Sequence, residues 1–365
     1  MRIAIWGAGA IGCFFAARLS ERGHEVTLVG RAEQVAAINR DGLRVVSDDG
    51  VARVYRPLAA TGIEQPPDLV LLTVKSQDVT VACEELRAQT GDAPMVVMQN
   101  GVEADGLAAN ALGRERVLGA SLMCATDYLR PGEIAVHFIG WTILGEPFGL
   151  VRERTQVIRS VLDDVMPTYI THSMRDARWT KLISNLNNGL SAATGLTLPE
   201  LAKSAAGRRL SVRLMKEGNR VARACGARLD HHYYGGGRRA TADRGQARNA
   251  SIIALLQSVV TTLVVVAPEA VASPVLALAG LSRFSRMPIH GSTWQSIERG
   301  KPTEMEYLNG AVVRLGAEHG VAAPWNARVV AAVREVEQTH HYLPLRELLA
   351  PARLSAVSTA GGSAR

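Results

Sequence analysis

Gly7-Ala8-Gly9-Ala10-Ile11-Gly12 has the spacing of a loop that cradles a pyrophosphate. The spacing carries weight only where a buried strand turns sharply into a helix, and otherwise it is a plain Gly-rich turn. Here Arg2 to Trp6 reads as an apolar strand and Cys13 to Leu19 as a helix start. The first glycine permits the turn, the second lets the backbone approach the pyrophosphate, and the third lets helix and strand pack closely. The helix N-terminus adds free N–H groups and a partial positive charge. The second strand, Glu25 to Val29, ends in Gly30-Arg31, with no acid before Glu33. An acid at that strand end would bind the ribose 2′-hydroxyl of NAD, whereas an arginine suits the 2′-phosphate of NADP. NADPH/NADP+ is therefore the expected cofactor, although Arg31 could also be a surface arginine. Lys75 and Asn100 each follow a strand (Asp68 to Val74 and Met95 to Met98), which sets them on the same rim as the glycine loop. Lys75 could add a second positive charge there.

A second group lies past the middle of the chain. Lys181, Asn185 and Asn188 fall at i, i+4 and i+7 and share one helical face. A lysine there can give a proton to a developing alkoxide, and the asparagines can orient a substrate. Taken alone, the same stripe is equally a solvated helix face. Further on, Thr303 and Glu306 have the spacing of a capping box, which places Glu304 in a first helical turn.

The elements that must position these groups change character along the chain. Strands alternate with helices in the first part, with a hairpin of Leu43 to Ser47 and Val51 to Tyr55 and a further strand at Val117 to Ala120. Continuous apolar strands alternating with helices predict a parallel sheet covered on both faces. After about Tyr169 the pattern predicts helices at Asp176 to Thr194, Gly207 to Cys225, Ser251 to Ala267, Thr303 to Gly316 and Ala327 to Gln338. The fold class is α/β: an N-terminal Rossmann-type parallel-sheet domain (1–172) followed by an all-helical C-terminal domain (173–350). Residues 351–365 are expected to be a disordered tail, and Asp230 to Ala250 a loop.

The balance of the 365 residues excludes several classes. Hydrophobic residues make up 47%, enough for packed cores. The +7 charge is scattered and aromatics are few, which argues against a nucleic-acid surface and suits a small anionic ligand. Cys13, Cys83, Cys124 and Cys225 lie far apart, as in a reduced, cytoplasmic protein. The apolar run from Ser251 is short of a membrane span and carries polar residues, so a buried helix and no membrane partner are expected. His231-His232 and His340-His341 have no accompanying carboxylate cluster, and no metal is expected.

Together these motifs resemble the ketopantoate reductase (2-dehydropantoate 2-reductase) family. The resemblance rests on the GAGAIG start, Gly30-Arg31, Val74-Lys75-Ser76, Gln99-Asn100-Gly101, the Trp179-x-Lys181-x-x-x-Asn185 helix, and Ser292 followed by Thr303-Glu304 and Asn309-Gly310. They span nearly the whole chain in the family's order. The resemblance implies hydride transfer from NADPH to the ketone carbon of a branched 2-keto acid, in the pathway to pantothenate. It implies Lys181 as general acid, Glu304 holding the substrate's hydroxyl, and Asn185, Asn188 and Ser292 binding its polar groups. Asn100 would lie between cofactor and substrate. The two halves would close on a slot, and a homodimer is the oligomer carried forward. The chain departs from the family where Asn188 follows Asn185 by three residues rather than four. It departs again at Thr293-Trp294, at Ser296 in place of an aspartate, and in extra length at Asp230 to Met287 and at the tail. Two alternatives stay open: a related NADP-dependent dehydrogenase for another 2-keto acid, and a non-catalytic NADP(H) sensor.

Overall fold

The computed structural model describes residues 1–230, 259–279 and 290–350. The tail, His231-His232, most of the Asp230 to Ala250 loop and the first turns of the Ser251 helix lie outside the described residues. The chain falls into two compact units, Met1–Ala177 and Arg178–Arg365.

The first unit is built on one sheet of ten strands. They are β1 (Arg2–Trp6), β2 (Glu25–Val29), β3 (Leu43–Ser47), β4 (Ala52–Tyr55), β5 (Leu58–Ala60), β6 (Leu69–Leu72), β7 (Met95–Val97), β8 (Val117–Arg130), β9 (Glu133–Gly145) and β10 (Thr168–Thr171). Their order is β4-β3-β9-β8-β7-β6-β1-β2-β5, and β10 also pairs with β9. From β8 through β7, β6, β1 and β2 to β5 every pairing is parallel. Alternation along β1 shows why both faces must be covered. Ile3 and Ile5 pack into one apolar cluster with Phe14, Phe15 and Leu19 of helix α1 (Ala10–Glu21). Ala4 and Trp6 pack into another, whose helical side comes from α3 (Val79–Arg87) and α4 (Ala104–Leu112). Period-2 strands buried on both sides read as unbroken apolar runs, as β1 and β6 do.

The sheet is not purely parallel. The β3–β4 hairpin forms where the sequence predicts it. The strand expected to stop at Ala120 instead continues to Arg130 and returns antiparallel through β9. Register shifts between Met123 and Cys124 and between Ala125 and Thr126 break the alternation that would have revealed it. Pro131-Gly132, with Gly132 at φ +78, is the turn signal at the tip. Beyond β2 lies α2 (Ala32–Asp41), and α5 (Glu153–Asp163) precedes β10.

Every described element of the second unit is helical. Helix α6 (Met174–Asn185) leads into α7 (Asn187–Thr194), then α8 (Leu198–Lys203) and the 20-residue α9 (Ala205–Ala224). Residues 259–266 form α10, followed by α11 (Glu269–Ala279), α12 (Ser292–Glu298), α13 (Asn309–Glu318), α14 (Pro324–Thr339) and α15 (Leu345–Leu349). Among the described residues, no helix is long and apolar enough to cross a membrane, and no group of His, Cys, Asp or Glu could hold a metal ion. All four cysteines are free thiols.

Candidate active site

The glycine loop of the first unit has the shape its spacing predicts. Gly7 sits at φ +121 and donates its N–H to the Val29 carbonyl (3.0 Å). A Cβ on Gly7 would lie 2.7 Å from the Val74 nitrogen, and one on Gly12 only 2.0 Å from the Gly7 carbonyl oxygen. A Cβ on Gly9 would meet nothing within 4 Å. Two glycines are therefore needed by the protein itself, and the third faces open space. Gly9 is also the N-cap of α1, and no side chain caps that helix end. An anion seated there would meet the unsatisfied N–H groups of the first turn. These residues fit a dinucleotide pyrophosphate.

Hydrogen bonds tie the rim residues to one another and, through Thr73, to this loop. The Thr73 hydroxyl donates to the Gly7 carbonyl (2.8 Å), and the Gln99 amide donates to the carbonyls of Leu72 (3.0 Å) and Val74 (2.9 Å). The Ser76 hydroxyl donates to the Asn100 carbonyl (3.3 Å). Lys75 and Asn100, both half-buried, thus follow neighbouring strands β6 and β7 beside the loop. Arg31 is exposed, at the N-cap of α2, in extended backbone (φ −67, ψ 151). Gly30 leaves no room for a side chain, since its Cβ would lie 2.5 Å from that of Ala8.

The loop has a further support that reading the sequence missed. Gln34 is buried, and its amide donates to the Ala8 carbonyl (3.1 Å) and to Cys13 Sγ (3.3 Å). Burial pushes the Cys13 thiol up to about 12, so it stays neutral. The available signal was an amide on the stripe Gln34, Ala37, Ile38 that α2 buries.

In the second unit, Lys181, Asn185 and Asn188 are half-buried, while Leu182, Ile183, Leu186 and Gly189 between them are buried. The stripe is not on one continuous helix. A turn at Leu186 (φ −58, ψ −24) separates α6 from α7 but keeps a nearly helical course. The break is held by a buried network. Asn309 Nδ2 donates to the Leu186 carbonyl (3.2 Å) and to Asn326 Oδ1 (2.9 Å). Asn326 Nδ2 and the N–H groups of Asn326 and Trp325 all donate to Glu217. Burial raises the Glu217 carboxyl above its ordinary value against the pull of those donors. Asn309→Leu leaves the Leu186 carbonyl buried without this donor, and a loss of about 2–3 kcal/mol is expected in denaturant unfolding. An unchanged midpoint would show that the network carries no stability.

Two segments pack onto α7. Gly291, just before Ser292, lies directly on Asn188: its Cβ would be 2.7 Å from the Asn188 Cβ. Met305, just after Glu304, reaches Gly189, whose Cβ would be 2.7 Å from the Met305 Cε. So the fold brings the backbone beside Ser292 and beside Glu304 to the same short helix as Asn188. Glu304 is half-buried and starts the single turn Met305–Tyr307.

The capping box expected at Thr303 does not form as such. The Thr303 hydroxyl accepts from the Met305 N–H (3.3 Å), but the helix begins only at Asn309, and Glu306 turns to Arg334 of α14 (Nε to Oε1, 3.0 Å). A guanidinium holds a carboxylate more strongly than one neutral N–H does.

Residues 3–148 match the family described as ketopantoate reductase PanE/ApbA, and residues 173–337 match the ketopantoate reductase PanE/ApbA C-terminal family. The chain belongs to the ketopantoate reductase family. That family consists of oxidoreductases acting on CH–OH donors, with NADPH as cofactor. A 2-dehydropantoate 2-reductase of Halobacterium salinarum is 28% identical over 331 residues, covering 89% of this chain and 95% of that protein. One of Mesorhizobium japonicum is also 28% identical, over 92% of this chain and 98% of the relative. The crystal structure of a PanE/ApbA family ketopantoate reductase from Ralstonia eutropha superposes with a TM-score of 0.73 at 27% identity, covering 93% of this chain and all of that one. D-mandelate dehydrogenase with NADH and anilino(oxo)acetate shares the fold at a TM-score of 0.71 and 19% identity.

Proposed function

We propose that this ketopantoate reductase family member reduces 2-dehydropantoate, or a closely related 2-keto acid, to the 2-hydroxy acid with NADPH. The observation that carries the cofactor half is the pairing of an open Gly9 at an uncapped helix end with an exposed arginine where β2 ends. When bound, NADPH supplies the hydride. The first unit's part is to hold it: α1 N–H groups and the glycine loop take the pyrophosphate, Arg31 takes the 2′-phosphate, and Lys75 and Asn100 orient the rest of the nucleotide. On the second unit, Lys181 gives its Nζ proton to the ketone oxygen as the carbon accepts the hydride, so the product leaves as a neutral hydroxyl. Asn185, Asn188 and Ser292 orient the keto acid's polar groups, and Glu304 accepts a hydrogen bond from its hydroxyl. Asn100 also meets the substrate. The four free thiols suit a cytoplasmic setting.

Arg31→Ala is expected to weaken NADPH about 10- to 100-fold, because a charge-assisted phosphate contact is lost, and to leave NADH nearly unchanged. Fluorescence titration with both nucleotides reads it, and equal losses would refute the 2′-phosphate assignment. The substrate half is tested by following NADPH consumption over a panel of 2-keto acids with and without a hydroxyl. A preference for the hydroxylated acids supports Glu304 as the hydroxyl's partner. A preference for a keto acid without one favours the related-dehydrogenase reading. That reading draws on Trp294, which brings an indole to α12 and stacks on His290 with ring centres 3.7 Å apart.

A further inference from the structure

Gln34 is one turn past Arg31 on α2, and its side chain is saturated. Nε2 donates twice, to the Ala8 carbonyl and to Cys13 Sγ. Oε1 accepts twice, from the Tyr128 hydroxyl (2.9 Å) and from the Gly132 N–H (2.9 Å). A primary amide has two N–H bonds and two lone pairs, so all four are used and the amide orientation is fixed. Flipping it would set oxygen against the Ala8 carbonyl and N–H against the Gly132 N–H. Gln34 is 5% exposed, so no water replaces a lost partner cheaply.

The four partners belong to three different pieces of the first unit. Ala8 and Cys13 belong to the glycine loop and α1. Tyr128 lies on β8, and Gly132 forms the tip between β8 and β9. Gln34 itself belongs to the helix whose N-cap is Arg31. The glycine loop has other braces, from Val29 and Thr73 to Gly7. The start of α2 has no side-chain cap. Asn39 Nδ2 braces α2 to the Ala59 carbonyl (3.0 Å), but nearer its other end, so removing the Gln34 amide should move the start of α2 rather than the loop.

We propose that Gln34 is a positioning residue that sets the reach from the pyrophosphate loop to Arg31, and so sets the preference for NADPH over NADH. The proposal rests on the reading that Arg31 holds the 2′-phosphate. The pyrophosphate is common to both nucleotides, whereas the 2′-phosphate belongs to one. A displaced α2 thus weakens one cofactor selectively, even though Gln34 touches neither.

The test is nucleotide titration of the full-length chain carrying Gln34→Met, which keeps volume and removes the amide. NADPH dissociation is expected to rise about tenfold and NADH dissociation by less than about twofold. In an Arg31→Ala background the same substitution is expected to leave NADPH binding unaltered, since there is no guanidinium left to misplace. Equal weakening of both nucleotides, no change in either, or a penalty that persists without Arg31 overturns the proposal. Tyr128→Phe removes one donor to Oε1 and is the milder variant should Gln34→Met fail to fold. It is expected to shift the preference in the same direction by a smaller factor, and an unshifted preference overturns the proposal. If Arg31→Ala alone leaves the preference unaltered, the 2′-phosphate assignment fails and takes this inference with it. If Arg31→Ala alters the preference and Gln34→Met does not, only the role of Gln34 fails.

Discussion

Gly9→Ala is expected to keep the parent's stability and lose NADPH affinity, and Gly12→Ala is expected to lose both. The two substitutions add the same methyl group three residues apart. At Gly12 the methyl carbon would stand 2.0 Å from the Gly7 carbonyl oxygen and 2.7 Å from Thr73 Oγ1. The oxygen belongs to backbone anchored by the Gly7–Val29 bond, so β1 and α1 must part. A cost of at least about 3 kcal/mol is expected, enough to lower the thermal midpoint by several degrees. At Gly9 the methyl enters open space, and the backbone there (φ −83, ψ −168) suits alanine. Stability should stay within about 0.5 kcal/mol of the parent. The same space is where the proposed pyrophosphate would approach the α1 N–H groups, so NADPH affinity should fall about 100-fold or more. Thermal melts paired with fluorescence titration separate the two variants. A Gly9→Ala chain that binds NADPH like the parent would remove the loop from the phosphate site.

The strand–turn–helix start of the first unit is readable because each of its signals is local. A Gly-x-Gly-x-x-Gly run between strand and helix, and an arginine where an acid would otherwise stand, can be read within 31 residues. The long β8–β9 hairpin was illegible past Ala120 because its bulges remove the period-2 pattern. Gln34 was passed over for a related reason. Its importance comes from Tyr128 and Gly132, about a hundred residues away, and nothing near Gln34 announces them. In the second unit, a helix was readable from Asp176 to Thr194, but its break at Leu186 was not. The break depends on Asn309 meeting the Leu186 carbonyl across 123 residues. Glu306 was misassigned by the same limitation, since local spacing offered a cap and a distant arginine took the carboxylate.

Lys181→Ala is expected to lower kcat by about 10²- to 10⁴-fold while leaving the NADPH dissociation constant unchanged within about twofold. The split follows from where the residue is anchored. Lys181 belongs to the second unit, on α6, and Gly9 and Arg31, the groups proposed to hold the phosphates, belong to the first. Its neighbours Trp179, Thr180, Leu182 and Ile183 are buried, so the helix that carries it is fixed by its other face. Removing the side chain deletes the proposed proton donor without removing that support. The ketone oxygen must then take its proton from water, which is a poorer acid and is not held in place. Lys181→Arg keeps the charge but offers a proton with a much higher pKa, so it should recover little of the rate. Stopped-flow NADPH oxidation at saturating keto acid gives kcat, and nucleotide titration gives the dissociation constant. A chain that turns over at the parent rate without Lys181 would end its role as general acid. A parent chain that binds NADPH but reduces no 2-keto acid, with Lys181 or without it, would favour a sensor that keeps the nucleotide loop and has no use for a proton donor.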